Sequence, residues 1–383
     1  MTHTARRIRA PRGFTLYELL VAAVIASILT GIIYTVYTKT ARSYRVQSLA
    51  IGMQQQARFA IDHLRRDISL AGFNATPNST VDPNLCSQPA TPLKAIRLKK
   101  SAVSGSVAHP AENPNIQPLE ITLFGDYTGS NGEVFYTESI TGNSVRLQAG
   151  FETRITDAQF KHIFDGTGQN RRYLRIVDAE QYEMYIPITG ANYATREITL
   201  TSPPPVRSAT QTCGIQGFGQ GLQVSPAMYV RYRVELVDAD RGRSALIRED
   251  VTTDGVAAVV NSKLLIADNV VDLGAYDFVF DTDLTHKSPL LVTTALPDAT
   301  IVDDSGDVGQ LGSLSSTVQN LRFMTVKVTV RSDQEDDERQ HRPRAGTFTR
   351  IDSFDVYPGL TGAARAMTLT SKVMLQTLAV RNI

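Results

Sequence analysis

The dominant feature of the hydrophobic pattern is an apolar run near the start of the chain, Phe14-Thr-Leu-Tyr-Glu-Leu-Leu-Val-Ala-Ala-Val-Ile-Ala-Ser-Ile-Leu-Thr-Gly-Ile-Ile-Tyr34. It is close to the ~20 residues a helix needs to cross a hydrocarbon core. Its one charge is Glu18. Beyond it the pattern changes from apolar all round to one-sided. There is no proline from Thr38 to Ala71, and Val46, Leu49, Met53, Ala57, Ala60, Leu64, Ile68 and Ala71 recur at three- and four-residue steps. That spacing puts them on one helix face. Arg45, Gln54, Gln55, Arg58, Asp62, Arg65, Arg66 and Asp67 fill much of the remainder, Gly72 suits a C-terminal stop, and Pro77 lies just beyond. One helix from Phe14 to Ala71 would be about 87 Å long. No membrane needs that length, so the first half is expected to span and the second to lie against the chain's own globular domain. Gly31 and Gly52 are the weak points where it could bend.

From Asn74 to about Pro118 the chain is rich in Pro, Asn, Ser and Thr and reads as loop, with a strand at Ala95–Leu98. Strand signals then dominate: Leu119–Phe124, Glu133–Tyr136, Ser144–Gln148, Tyr173–Val177, Tyr182–Ile188, Glu197–Thr201, Met228–Val237, Ser244–Arg248, Ala275–Phe280, Phe323–Val330, Thr347–Ile351 and Thr368–Val380. Asn131-Gly132 suggests a hairpin turn between two of them. Segments 203–221 (three prolines, then four glycines) and 284–316 read as loop insertions, the first as a flexible loop. Ser332–Arg344 reads as a solvated, mixed-charge hairpin end. The fold class is therefore α+β, a long N-terminal helix packed on a β-rich domain. The expected organisation is a basic leader over 1–13, a membrane-spanning helix over 14–37, an amphipathic continuation over 38–73 and the β-rich domain over 74–383.

Composition agrees with a folded chain: 42% hydrophobic and 20% charged residues. The formal net charge is +1, which argues against a nucleic-acid partner held by bulk charge. The charge is uneven, with Arg6, Arg7, Arg9 and Arg12 crowded before the apolar run. The positive-inside rule then predicts a cytoplasmic N-terminus and a periplasmic C-terminal domain. Tyr34 and Tyr37 suit an interfacial belt, with filament packing as the competing role. The two cysteines, Cys86 and Cys213, are compatible with one disulfide or with two unrelated buried thiols. The expected topology places both outside the cytoplasm and favours the disulfide, worth about 4–5 kcal/mol on the chain-entropy model.

Arg12-Gly-Phe-Thr-Leu-Tyr-Glu-Leu-Leu20, at the junction of basic leader and apolar helix, resembles the processing site of type IV prepilins and pseudopilins. The resemblance implies that a prepilin peptidase/N-methyltransferase cuts after Gly13 and methylates the new amine of Phe14, with Glu18 one turn inside the helix. Tyr17 departs from the aliphatic residue commoner there, and the helix-kinking proline frequent in the apolar run of pilins is absent. A physical argument runs beside the resemblance. A carboxylate within a spanning helix costs of order 2.5–3.5 kcal/mol. No partner is evident within the run, and a positive amine made at Phe14 of a neighbouring subunit would supply one. Glu18 in the first turn also suits the helix dipole. The competing reading is an uncut signal anchor whose Glu18 snorkels to the headgroups.

Gln54–Phe73, Val330-Arg-Ser and the terminal Leu378-Ala-Val-Arg-Asn are similar to the corresponding parts of PilW-type minor pilins. That resemblance implies a non-enzymatic subunit at or near a pilus tip that primes assembly. Its partners would be other minor pilins, the major pilin, the inner-membrane assembly platform and a tip adhesin. A type II secretion pseudopilin is the near alternative, and an uncleaved, signal-anchored periplasmic enzyme or binding domain the distant one. No Walker-type loop, Gly-x-Ser-x-Gly elbow or His-Glu-x-x-His occurs, and no cofactor is expected. Asp303, Asp304 and Asp307, and likewise Asp281 and Asp283, leave open a calcium site or a solvated acidic turn.

Overall fold

The computed structural model describes residues 15–100, 118–130, 132–164, 172–238, 243–281, 291–294, 318–336, 353–354 and 363–380. The chain divides into two compact units, 1–52 and 53–383. One element belongs to both, helix α1 (Leu16–Ser69), which is continuous through Gly31 and Gly52. Every side chain from Thr15 to Arg45 is exposed. From Met53 the helix becomes one-sided, as the spacing predicts, and Met53, Ala57, Ala60, Ile61, Leu64 and Ile68 are buried.

The helix ends two residues short of Ala71. Its last turns tighten through Leu70 N–H to Asp67 O, Ala71 N–H to Ile68 O and Phe73 N–H to Leu70 O. Gly72 then adopts φ +77° and donates to Phe124 O at 2.8 Å. A Cβ at Gly72 would lie 2.8 Å from Leu378 Cδ2, so glycine is required both by the dihedral and by the packing.

Fifteen strands are described. A ten-stranded sheet holds β1 (Ile96–Lys100), β2 (Leu119–Gly125), β3 (Phe135–Thr141), β4 (Ser144–Leu147), β5 (Arg172–Val177), β6 (Glu183–Asn192), β7 (Glu197–Leu200), β8 (Gln223–Asp238), β9 (Arg243–Val251) and β10 (Leu264–Asp268). A five-stranded sheet runs β12 (Leu291–Thr294), β11 (Val270–Asp281), β13 (Leu321–Asp336), β15 (Ala363–Met374), β14 (Ser353–Phe354). Strand β8 organises the first. Its early residues pair with β5 and β3 and its later ones with β2 and β9. The succession β8-β3-β4-β7-β6-β5 returns to β8, so six strands form a closed ring with no free edge. Phe135, Phe151, Phe160, Phe164 and aliphatic residues from all six strands fill it.

The later half of β8 alternates in the manner of a sheet buried on both faces. Met228, Val230, Tyr232 and Val234 join the core shared by the end of α1, β1, β2 and the five-stranded sheet. Ala227 and Tyr229 join a second cluster with Phe124, Tyr173 and Tyr185. One strand thus contributes to three cores.

Asp67 is the correction to the helical pattern. It belongs to the polar remainder by spacing, yet it is buried. Arg248 Nε lies 2.9 Å from its Oδ2 and the Tyr232 hydroxyl donates to the same oxygen at 2.6 Å. Tyr127 donates to its backbone carbonyl at 2.8 Å. With the Tyr232 proton committed to Asp67, His63 Nδ1–H is the donor in the 3.1 Å contact between His63 and Tyr232. Burial, reinforced by Asp67, holds the phenols of Tyr127 and Tyr232 well above the usual tyrosine range.

Other departures are local. A short helix α2 (Asp157–Phe164) interrupts the β succession, and β10, β12 and β14 were not anticipated, β12 falling inside the expected insertion 284–316. The last expected strand stops at Met374 and the chain turns into helix α3 (Gln376–Val380), whose Thr377 hydroxyl bonds Ala71 O. The Asn131-Gly132 hairpin does not form: β2 pairs with β1 and β8, while β3 pairs with β4 and β8. The connection is instead organised by Asp126, whose carboxylate accepts from Thr128 and Ser130, and Asn131 itself lies outside the described residues. The expected strand Thr347–Ile351 also lies outside them.

Replacing Asp67 by Ala takes the acceptor from the buried Tyr232 hydroxyl and leaves the part-buried Arg248 guanidinium only its 3.6 Å pairing with Asp250. Urea denaturation of the full chain in detergent is expected to show a loss of about 2–4 kcal/mol; a loss under about 1 kcal/mol would mean that the pairing contributes little.

Candidate processing and assembly site

The N-terminal site is built on the first turn of α1. Thr15 is the cap residue. Its backbone N–H and its hydroxyl donate to Glu18 Oε2 at 2.9 and 3.0 Å, and Glu18 N–H is 3.3 Å from Thr15 Oγ1. This is a reciprocal capping box, Thr-x-x-Glu. The carboxylate expected to lack any partner within the run therefore has two neutral donors from its own chain. The reading of the residues missed this, although the three-residue spacing carries the signal. Gly13 and Phe14, with the arginines before them, lie outside the described residues.

Past Glu18 the surface is apolar on every side. Leu19, Leu20, Val24, Ile25, Ile28, Leu29, Ile32 and Ile33 are all at least half exposed. The few hydroxyls turn inward on the backbone: Ser27 to Val24 O, Thr30 to Ala26 O, Thr35 to Ile32 O and Thr38 to Tyr34 O, at 2.7–3.0 Å. Donors satisfied in this way do not oppose entry into an apolar medium. Helix α1 is long and apolar enough to cross a membrane.

The second predicted feature lies in the β-rich unit. Cys86 and Cys213 form a disulfide with Cα atoms 5.5 Å apart. Each half is fixed to the six-strand ring. Cys86 N–H donates to Glu183 O at 2.8 Å, and Gly214 N–H to Asp178 Oδ2 at 3.1 Å. The segment 203–221 lies largely at the surface but is anchored at several points. Ile215 and Cys213 are buried, Gly214 leaves no room for a Cβ against Pro205, and Phe218 O and Thr137 O bond to Ile140 N–H and Gly221 N–H. On the Cys86 side, Glu183 pairs with Arg175 at 2.6 Å and accepts from the Tyr185 hydroxyl. Tyr185 accepts from Thr76 N–H at 2.6 Å, and the Thr76 hydroxyl donates to Asp82 at 2.7 Å.

Of the expected acidic ligands, Asp281 closes β11, while Asp283, Asp303, Asp304 and Asp307 lie outside the described residues. Among the described residues no group of three or more His, Cys, Asp or Glu is placed to hold a metal ion.

Residues 8–34 match the family model of the prokaryotic N-terminal methylation motif. The match runs from the end of the leader through most of the apolar part of α1 and includes Gly13, Phe14, Thr15 and Glu18. It supports a type IV pilin- or pseudopilin-like prepilin: a pilin-type structural protein, anchored through its apolar helix and processed by prepilin peptidase. No curated protein and no solved structure matches the chain significantly.

The disulfide closes a loop of 127 residues. Non-reducing electrophoresis should show a faster band, and Cys86→Ser should abolish it and lower stability by about 4–5 kcal/mol on the chain-entropy model. Identical mobility of the two proteins would show that the bond does not form in the cell.

Proposed function

We propose that this chain is a minor pilin of a type IV pilus, cut after Gly13, methylated at Phe14 and incorporated at or near the filament tip, where it helps to start assembly. The observation that carries the reading is a methylation-motif helix whose apolar half has every side chain exposed. Such a helix needs lipid before assembly and other helices after it. Ala23, Ser27 and Gly31 recur at four-residue steps, the small-residue spacing that lets helices approach closely in an apolar medium.

Glu18 then acts twice. In the precursor, Thr15 holds its carboxylate at the first turn. After cleavage the amine of Phe14 sits one residue before the Thr15 N–H that already bonds the carboxylate. A neighbour's amine can then add the opposite charge that Thr15 cannot supply. The partners on this reading are prepilin peptidase/N-methyltransferase, the other minor pilins, the major pilin, the inner-membrane assembly platform and a tip adhesin. The N-terminus is cytoplasmic and the β-rich unit periplasmic until assembly. The role is structural and non-enzymatic, with no cofactor; a calcium ion at Asp303, Asp304 and Asp307 is a subsidiary proposal, checked by calcium titration.

The same N-terminal chemistry serves a type II secretion pseudopilin. Deletion of the gene separates the two, since loss of pili with secretion intact supports the minor pilin and the reverse supports the pseudopilin.

Gly13→Ala should leave a longer, unprocessed precursor by mass spectrometry of the N-terminus; normal trimming counts against the assignment. Glu18→Ala should be cleaved almost normally yet enter filaments poorly. Undiminished incorporation in sheared filament fractions would remove the charge-pairing argument.

A further inference from the structure

We propose that the two helical turns after the apolar run, centred on Lys39, Arg42 and Arg45, form a collar that binds anionic phospholipid headgroups. The proposal rests on the reading of 14–37 as membrane-spanning. A hydrocarbon core of about 30 Å takes up about 20 residues of helix. Counted from Leu16, it ends near Thr35. Tyr34 and Tyr37 then stand at its edge, 67% and 69% exposed, in the position of an interfacial belt.

Lys39 follows about 6 Å beyond that edge, within the headgroup layer, and Arg42 and Arg45 about 10 and 15 Å beyond it. All three are exposed. At about 100° per residue the three cations spread over an arc of about 120°, and Tyr34, Tyr37 and Tyr44 cover the adjoining ~80°. Aromatic and cationic sides are therefore contiguous.

Two further facts suit a phosphodiester at a lipid surface. A shallow groove on the same turns is lined by Lys39, Thr40, Ser43, Tyr44 and Gln47, which offer ammonium, hydroxyl and amide donors. The stretch between Glu18 and Asp62 contains no acidic residue, so this part of the helix carries no charge that would repel an anion. Guanidinium groups at Arg42 and Arg45 match phosphate oxygens in fork geometry. The collar also accounts for a feature the positive-inside rule leaves unexplained, cations flanking the apolar run at both ends.

The test uses the full chain in nanodiscs of mixed phosphatidylcholine and phosphatidylglycerol, compared with K39Q/R42Q/R45Q. Native mass spectrometry of released complexes counts the lipids each carries. The wild-type chain should be enriched in phosphatidylglycerol. Each charge at an anionic surface contributes on the order of a fivefold preference, so the triple variant should lose tenfold or more. High salt should weaken the enrichment. Carbonate extraction of cell membranes reports anchoring separately, and both proteins should stay in the membrane. Equal lipid ratios for the two chains would overturn the collar while leaving the anchor intact. Release of the wild-type chain by carbonate would overturn the spanning reading and the collar with it.

Discussion

A helix cannot be apolar all round and remain in water, and that constraint governs this molecule. The first half of α1 exposes every side chain from Thr15 to Arg45, about half of them aliphatic. At about 25 cal/mol per Å² of apolar surface, leaving so many large side chains wet costs tens of kcal/mol. A folded chain has only about 5–15 kcal/mol of net stability to set against that. The cover must come from lipid or from other helices. The second half of the same helix solves a different problem. Its small residues, Ala57 and Ala60, let the helix backbone pack closely within the β-rich unit's core, and Leu64 and Ile68 fill what remains. One continuous element thus serves two environments, and the change of pattern from apolar all round to one-sided marks where each begins.

The polar exceptions to these patterns show how the ends of the helix are held. Glu18 is bonded at the N-terminal end by Thr15, and Asp67 at the C-terminal end by Tyr232 and Arg248. They differ in solvent and in what the fold supplies. Asp67 already has a full counter-charge from β9, within a cluster that also engages His63 and Tyr127. Among the described residues Glu18 has only the neutral donors of Thr15. A neutral hydrogen bond lowers the cost of burying a carboxylate but does not remove it, because the charge itself stays unbalanced. On the proposed function, that difference suits Glu18 to assembly and Asp67 to holding the fold, although both are acids on the same helix.

What the sequence displayed follows the range of the interactions involved. The apolar run, the three- and four-residue face and the alternating strands are set by nearest neighbours, and they appear as expected from Met53 to Ile68 and along β4 and β7. Two capping boxes, Thr15-x-x-Glu18 and Thr156-x-x-Gln159, were equally local. The second starts helix α2, and its reciprocal spacing is as readable as the first. Asp67 could not be recognised as buried, because its partners Tyr232 and Arg248 lie 165 and 181 residues away. The same holds for the ring of strands. Closure depends on β8 pairing with both β3 and β5, and pairing between distant strands leaves no periodic trace. The Asn-Gly signal misled for a related reason: a turn former specifies a bend, while β8 decides which strands meet.

Strand β8 also explains why the β-rich unit behaves as one body. Its early residues close the ring around the phenylalanine core, and its later residues receive the end of the helix through Tyr232 and, by way of β9, Arg248. A force on the helix end therefore passes through a buried ion pair into a strand hydrogen-bonded on both edges, and from there into the ring. The disulfide lies on the ring, where it joins the segment following the helix to the 203–221 connection. Placed there, it closes a second route between the helix end and the ring, one that does not pass through β8. In a filament subunit pulled by its spine, two routes in parallel share the load. Breaking either the Asp67 cluster or the disulfide would shift that load onto the other, together with the core packing of the helix end and the Gly72–Phe124 backbone bond.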